Sequence, residues 1–504
     1  GGGSGGYAAA RTAAGAGLKT VVIEGGEEVG GLCILRGCMP TKAMLYAAEV
    51  KHLAEHAETW GVRAGKVTFD FAKVMARKSA QVKDFADYRA QQLNAGKFKF
   101  IRANASFVNE HTLALTSFGG VELSRQRLGL RQSSAALSAE GLRGKAPEDW
   151  RTPKPCGISL TAKNFVIATG SRVAPSPLPQ LDEVGFITSD DAVALKRLPK
   201  SLIILGGGAI ACEFAQFFAR FGVKVTLVQR NKHILKEFDP DAGIEIEKVF
   251  RREGIQVFTG TKLLDAQLVA RASRPSESRG QDARATTKTV SFDQNGKTNS
   301  VSAEQILFAL GRIPNIASLD LENAGVKTED GYIVTNKKMQ TSAPHIFAAG
   351  DCTGPHEIVH IAVTQGEIAA HNIARPKSPR KTDHRLLISV VFTEPQVAFV
   401  GLTEKEAKAR GIKFLAASYP FNDHGKSLIM EAKDGFVKLL ANPKSGEILG
   451  GACVGPSGGE LIHEIVAAMA KHMTVHELAA MPHYHPTLAE IWTYPAEELA
   501  DQIS

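Results

Sequence analysis

Two stretches of the chain share one succession of apolar and polar positions. In the later stretch, the apolar run Ser201 to Leu205 predicts a strand. Gly206-Gly207-Gly208-Ala209-Ile210-Ala211 then reads G-x-G-x-x-A, Cys212 to Arg220 predicts a helix, and Val223 to Val228 predicts a second strand. In the earlier stretch, Gly1 to Gly6 reads G-x-G-x-x-G, the Ala-rich residues Tyr7 to Ala16 predict a helix, and Thr20 to Ile23 predict a strand ending in Glu24. Each repeat places its strand-end residue 23 positions after its first glycine, Glu24 in one and Gln229 in the other. One glycine turn alone serves ordinary backbone geometry, but two in matching context point to two dinucleotide sites. The glycines Gly1, Gly3 and Gly6, and Gly206 and Gly208, let the backbone approach a pyrophosphate whose charge rests on the helix N-terminus. Such a fold has a strand before its first glycine turn, so a segment ahead of Gly1 is expected.

The strand-end residues differ in charge. Glu24 can accept both hydroxyl hydrogens of an unphosphorylated adenosine ribose, whereas Gln229 is followed by Arg230 and Lys232. The second site thus lacks the acid that repels a 2'-phosphate, which tilts it toward NADPH while leaving NADH open. Solvated loop charges are an equally weighted reading of Arg230 and Lys232.

Composition narrows the class. The 504 residues, 44% of them apolar, suffice for three or four globular domains, and no apolar run approaches the ~20 residues of a membrane span. Six scattered cysteines and the lack of an export signal place the chain in the cytoplasm. Most of the net charge of +8 lies in residues 123–155 and 270–288. Both stretches lack hydrophobic periodicity and read as disordered insertions. Apart from Trp150 they lack the interleaved aromatics of a nucleic-acid surface, so neither nucleic acid nor membrane is an expected partner. Towards the C-terminus, strands at Leu387 to Val391, Phe436 to Ala441 and Glu447 to Cys453 and a helix from Glu460 to Met473 predict an α+β domain on an antiparallel sheet.

Two segments carry candidate chemistry. Cys33 and Cys38 are separated by four residues, and Pro40 suits the first turn of a helix. Cys38 at that helix start, with Lys42 one turn on, is placed to ionise readily. No second pair of ligands stands at zinc spacing, so no metal is expected, while a pair of buried structural cysteines is the competing reading. Near the C-terminus, Met481 to Glu490 contains His485, a proton carrier if a carboxylate holds it, although spacing alone does not single it out among 15 histidines.

The paired nucleotide motifs, the Cys33 to Cys38 segment, Ala168-Thr169-Gly170, Gly350-Asp351, and His485-Pro486-Thr487 to Glu490, in this order over nearly the whole chain, resemble the class I pyridine nucleotide-disulfide oxidoreductases. Within that family they look most like dihydrolipoamide dehydrogenase and the mercuric reductase catalytic core. The resemblance implies an α/β fold of two Rossmann-like dinucleotide-binding domains, for FAD and NAD(P), plus a C-terminal α+β dimerisation domain. The limits it suggests are 1–180 and 311–383 for FAD, 181–310 for NAD(P), and 384–504 for dimerisation.

By the same match, Gly1, Gly3, Gly6 and Glu24 hold the ADP half of FAD, Lys42 lies near the flavin, Ala105 meets adenine, and Thr169, Gly170 and Asp351 complete the site. Gly206, Gly208, Gln229, Arg230 and Gly311 line the NAD(P)H site, and Glu213 pairs with Lys42. Cys33 and Cys38 form the redox disulfide, with Cys38 nearer the flavin and Cys33 exchanging with a small-molecule or lipoyl disulfide. His485, oriented by Glu490, comes from the other subunit of a homodimer. The alternative is an NADPH-driven reductase of another small disulfide, a metal ion or a quinone, on the lines of mercuric or glutathione reductase. Leu32 before the first cysteine, Ile34-Leu35 after it, and Gln229 depart from the usual dehydrogenase pattern, and no C-terminal cysteine pair is present to deliver mercury.

Overall fold

The computed structural model describes residues 1–117, 158–270 and 286–503, which fall into two compact units. The first comprises residues 1–35, 82–172 and 312–382. Its opening helix, Ser4–Gly15, buries Gly5, Ala8, Ala9 and Ala10 and packs against helix Val359–Ala374. The two backbones meet closely, because a Cβ on Gly366 would lie 2.2 Å from the carbonyl oxygen of Gly5. Strand Val21–Glu24 runs parallel to Lys99–Arg102, with Glu24 opposite Arg102. Asn104–Asn109, Thr112–Thr116 and Ile158–Thr161 form an antiparallel sheet, and Phe165–Ile167 pairs in parallel with Ile346–Ala348. Leu115, Ile346, Ala348 and the thiol of Cys352 fill the core beneath them.

The second unit comprises residues 36–81, 173–311 and 383–504. Its parallel sheet has the order Gln256–Phe258, Lys224–Val228, Ser201–Leu205, Gln305–Phe308. Leu202, Ile203, Ile204 and Leu205 are all fully buried, as a strand covered on both faces requires. Helix Ala209–Arg220 buries Phe214, Phe217 and Phe218, and helix Cys38–Glu55 adds Met44 and Ala48 to the same core. A five-stranded antiparallel sheet near the C-terminus has the order Ile388–Val391, Gln396–Gly401, Ile448–Gly455, Phe436–Ala441, Leu415–Pro420. Helix Gly458–Ala470 packs on it, and the fully buried Trp492 donates its Nε1–H to the carbonyl of Leu461 at 3.2 Å.

Several sequence expectations shift. Both post-turn helices begin three residues early, at Ser4 and Ala209, with extended Gly3 and Gly208 as their N-caps. The small final residues of each motif fit inside the first turn. The C-terminal strand and helix run over Ile448–Gly455 and Gly458–Ala470. Of the two basic stretches, 123–155 and residues 271–285 of 270–288 lie outside the described residues. Ala270 and residues 286–288, however, belong to the antiparallel strands Thr261–Ala270 and Thr286–Gln294. Lys288 is no loop charge there. Its Nζ donates to the Gly185 carbonyl at 2.7 Å and to Gln305 Oε1 at 2.9 Å, and burial lowers its pKa.

Candidate functional site

In the first unit the turn Gly1 to Gly6 is crowded by backbone. A Cβ on Gly1 would meet the Ala168 carbonyl oxygen at 2.3 Å, and one on Gly6 would meet the Gly1 carbonyl oxygen at 1.9 Å. Gly3, as N-cap, leaves the first N–H groups of the helix facing outward, where an anion is favoured. Glu24 accepts from the N–H of Gly2 at 2.5 Å and of Gly26 at 2.7 Å. Ala105 stands half-buried in the strand that starts two residues after Arg102, the partner of Glu24.

Thr169 Oγ1 is buried without a hydrogen-bond partner, and Gly170 follows with φ +70°. Arg89 stacks on the Tyr7 ring at 4.2 Å, with its Nε and Nη1 buried and unpartnered. Asp351 accepts from Ser171 Oγ at 2.6 Å, and Arg312 donates to that same hydroxyl at 2.8 Å and to the Ser171 carbonyl at 2.9 Å. Gly350 N–H is held by Gln365 Oε1 at 2.7 Å. An orphaned hydroxyl and guanidinium beside a glycine turn and a ribose-reading acid fit a phosphate-bearing adenine dinucleotide such as FAD.

In the second unit Gly206 has φ +122°, and its Cβ would lie 2.2 Å from the Ala309 carbonyl oxygen. Open space lies over Gly208 and over Gly311, whose φ is +120°. The buried Gln229 side chain folds over Gly207 and accepts from the Arg230 N–H at 2.8 Å, while the side chains of Arg230 and Lys232 are exposed. This arrangement suits the adenosine end of NAD(P)H.

Cys33 lies in the short helix Leu32–Leu35 of the first unit, and Cys38 opens helix Cys38–Glu55 of the second. Pro40 and Thr41 are buried in the first turn of that helix. Lys42 does not offer its charge freely to the thiol. Its Nζ donates to both oxygens of Glu213 at 2.9 and 2.8 Å and sits 4.5 Å over the Phe392 ring. Phe392 N–H donates to the same carboxylate at 3.0 Å. Beside this pair, burial pushes the Glu394 carboxyl up to about 7. Burial also separates the cysteines. Cys212, Cys352 and Cys453 are wholly buried, which raises all three thiols, that of Cys352 to about 11. Cys33 and Cys38 are half-buried, which removes the reading of them as buried structural residues.

Two neighbouring histidines are bonded to carboxylates in different settings. His483 uses both, Nε2 to Glu464 at 2.6 Å and Nδ1 to the Met481 carbonyl at 3.0 Å. His485 bonds Glu490 through Nδ1 at 2.9 Å, and its side chain is 78% exposed. Glu490 is buried. Sequence reasoning missed Arg89, Ser171, Arg312, Gln365 and Glu394. Of these, Arg312, next to Gly311, and Ser171, next to Gly170, had a motif neighbour to mark them.

These two nucleotide-type turns, the half-buried cysteine pair and the antiparallel C-terminal sheet define a flavin-dependent oxidoreductase. The chain matches the pyridine nucleotide-disulphide oxidoreductase family over residues 1–366 and the dimerisation domain of that family over residues 387–496. It belongs to that family and is an FAD-dependent pyridine nucleotide-disulfide oxidoreductase that uses NAD(P)H.

Among its relatives is a dihydrolipoyl dehydrogenase of Bacillus subtilis, 35% identical over 94% of this chain and 90% of the relative. A mercuric reductase of Staphylococcus aureus is 31% identical over 93% of this chain and 76% of its own length. The crystal structure of LpdA from Mycobacterium tuberculosis shares the fold, with a TM-score of 0.79 at 24% identity over 99% of this chain and 98% of that one. The dimerisation domain makes the protein a homodimer. Among the described residues no helix is long and apolar enough to cross a membrane.

Proposed function

We propose that the protein exchanges electrons between NAD(P)H and a dithiol/disulfide substrate in the manner of dihydrolipoamide dehydrogenase, through a Cys33–Cys38 disulfide. The observation that carries this reading is the contrast among the described cysteines, of which only Cys33 and Cys38 escape full burial. Gly1, Gly3, Gly6, Glu24, Ala105, Thr169, Gly170 and Asp351 would hold FAD, which supplies two-electron transfer between the nicotinamide and the disulfide. Gly206, Gly208, Gln229, Arg230 and Gly311 would hold NAD(P)H, and Lys42 with Glu213 would face the flavin. The domain limits are 1–180 and 311–383 for FAD, 181–310 for NAD(P) and 384–504 for dimerisation, and the reaction belongs in the cytoplasm.

In the direction of substrate oxidation, a substrate thiol attacks Cys33 Sγ, the Cys33–Cys38 bond breaks, and Cys38 leaves as thiolate at its helix N-terminus. His485 Nε2 takes the proton of the attacking thiol, while Glu490 holds Nδ1. The second substrate thiol then displaces Cys33 and closes the substrate disulfide. His485 acts on the disulfide of the partner subunit. A second reading, an NADPH-driven reductase of another small disulfide, metal ion or quinone, draws support from Gln229, which brings no negative charge to the ribose position.

Steady-state rates with lipoamide, glutathione disulfide and a quinone, each against NADH and NADPH, test the substrate. Lipoamide turnover well above the others is expected, and its absence would overturn the reading. Refolding Cys33→Ser with His485→Ala tests the shared site. One quarter of the sites should recover, because mixed dimers form at about half by random pairing and each carries one intact set. Activity no higher than that of the separate variants, with mixed dimers shown by tag pull-down, would place His485 on its own subunit's cysteines.

A further inference from the structure

Behind the His485–Glu490 pair stands a second histidine. His424 follows the short turn Phe421–Asp423, and none of its surface is exposed. Its Nδ1 lies 2.8 Å from Ser427 Oγ, and its Nε2 lies 3.3 Å from Glu490 Oε1. Buried Nε2 makes no well-aligned hydrogen bond, and Glu490 Oε1 at 3.3 Å is the acceptor within its reach. The other oxygen of Glu490 holds His485 Nδ1 at 2.9 Å. One buried carboxylate is thus shared by two imidazoles.

The tautomer follows from the partners. Burial lowers the basicity of His424, so its ring is neutral near pH 7 and carries one proton. Glu490 is an acceptor, which puts that proton on Nε2, and Nδ1 then accepts from the Ser427 hydroxyl. The other groups around the ring are His485, Tyr494 at 6.3 Å between ring centroids, and Phe421 at 6.4 Å. Asp423, next in the chain, is occupied by the Tyr419 hydroxyl at 3.0 Å.

We propose that His424 is a positioning residue for His485, pinning the free oxygen of Glu490 so that the carboxylate stays on Nδ1 and leaves Nε2 of His485 to exchange protons. Outer partners of a working histidine act in this way by fixing its tautomer and ring orientation. His485 is mostly exposed and has little else to hold it, so a carboxylate free to turn would lose it. The inference rests on the reading of His485 as acid/base.

The test measures lipoamide-dependent turnover of the flavin-loaded dimer across neutral pH in His424→Leu, His424→Gln, Ser427→Ala and His485→Ala. His424→Leu should lower kcat about tenfold to a hundredfold, the usual range for an outer-shell partner, and leave KM for the nicotinamide unchanged. A carboxylate on Nδ1 raises the pKa of an imidazole. Weakening it should move the acid limb, below which His485 is protonated and cannot accept, to lower pH. His424→Gln, with an amide N–H able to reach Glu490, should restore most of both properties, and Ser427→Ala should shift the limb the same way by less.

A His424→Leu enzyme with wild-type kcat and pH profile, beside an inactive His485→Ala, would overturn the proposal. So would a Gln variant as impaired as Leu. If His424→Leu does not fold, Ser427→Ala and His424→Gln decide the matter, and an acid limb unmoved by Ser427→Ala overturns it. Full turnover in His485→Ala would instead remove the acid/base reading beneath it.

Discussion

The two glycine turns agree where a phosphate needs them to and differ where a ribose is read. A Cβ on Gly1 would collide with the Ala168 carbonyl oxygen at 2.3 Å, and one on Gly206 with the Ala309 carbonyl oxygen at 2.2 Å. Both following helices are capped by an extended glycine, Gly3 and Gly208. At the third motif position the first turn has Gly6, whose Cβ would overlap the Gly1 carbonyl oxygen, whereas the second carries the fully buried methyl of Ala211. At the strand end Glu24 binds two N–H groups as a carboxylate, and Gln229 binds one as an amide. Turn shape is therefore shared while the tolerance for a methyl and the charge at the ribose position are set separately in each unit.

The largest expected effect breaks the tighter turn. Gly6→Ala puts a Cβ 1.9 Å from the Gly1 carbonyl oxygen, so the purified protein should lack the flavin absorbance of the parent. Ala211→Gly should keep NAD(P)H binding and cost about 1 kcal/mol of stability, as a glycine within a helix does. A yellow Gly6→Ala protein would show that the first turn relaxes as readily as the second. Next, Glu24→Ala removes the acid at the ribose position, where two hydrogen bonds from ribose hydroxyls to a charged group would be worth together about 3 kcal/mol, and should weaken flavin retention on dialysis by roughly a hundredfold. Gln229→Ala removes one neutral bond and should change KM for NAD(P)H by less than about tenfold.

Gln229→Glu makes the second turn like the first. The kcat/KM ratio should move toward NADH by about 1.5 kcal/mol, near tenfold, and an unchanged ratio would mean that position 229 does not face the ribose. The smallest effect is expected from Gly207→Ala, whose Cβ would come 2.7 Å from Gln229 Nε2. A flexible side chain can give way there, so KM for NAD(P)H should rise only a few-fold, with flavin content and melting temperature unchanged.

Local signals made the turns legible. Glycines at fixed offsets, a helical stretch after them and an apolar strand ending at a set distance are all short-range features. The cysteine segment was legible for the same reason, since Gly37 and Pro40 frame the start of helix Cys38–Glu55. What lay beyond local reading was the partner of each charge. Local spacing set Lys42 beside Cys38 one turn away, and only the family resemblance named Glu213, 171 residues on, to which it is bonded because the two helices pack in one core. Lys288 was read as part of a basic loop, yet its strand places it against Gly185 and Gln305.

The chain by itself determined that there are two dinucleotide-type turns, that Cys38 stands where a helix begins, and that a histidine and a glutamate lie five residues apart near the end. Each follows from stereochemistry within a few residues, namely glycine where a Cβ collides, proline in a first turn, and small residues where helices meet. Tertiary structure alone decided which of the described cysteines are buried, and that His483 spends both ring nitrogens while His485 bonds through Nδ1 with its side chain exposed. It also decided that His424 stands behind Glu490, 66 residues away in sequence. Burial and hydrogen-bond pairing are set by whatever segment packs alongside, and no spacing along the chain encodes that neighbour.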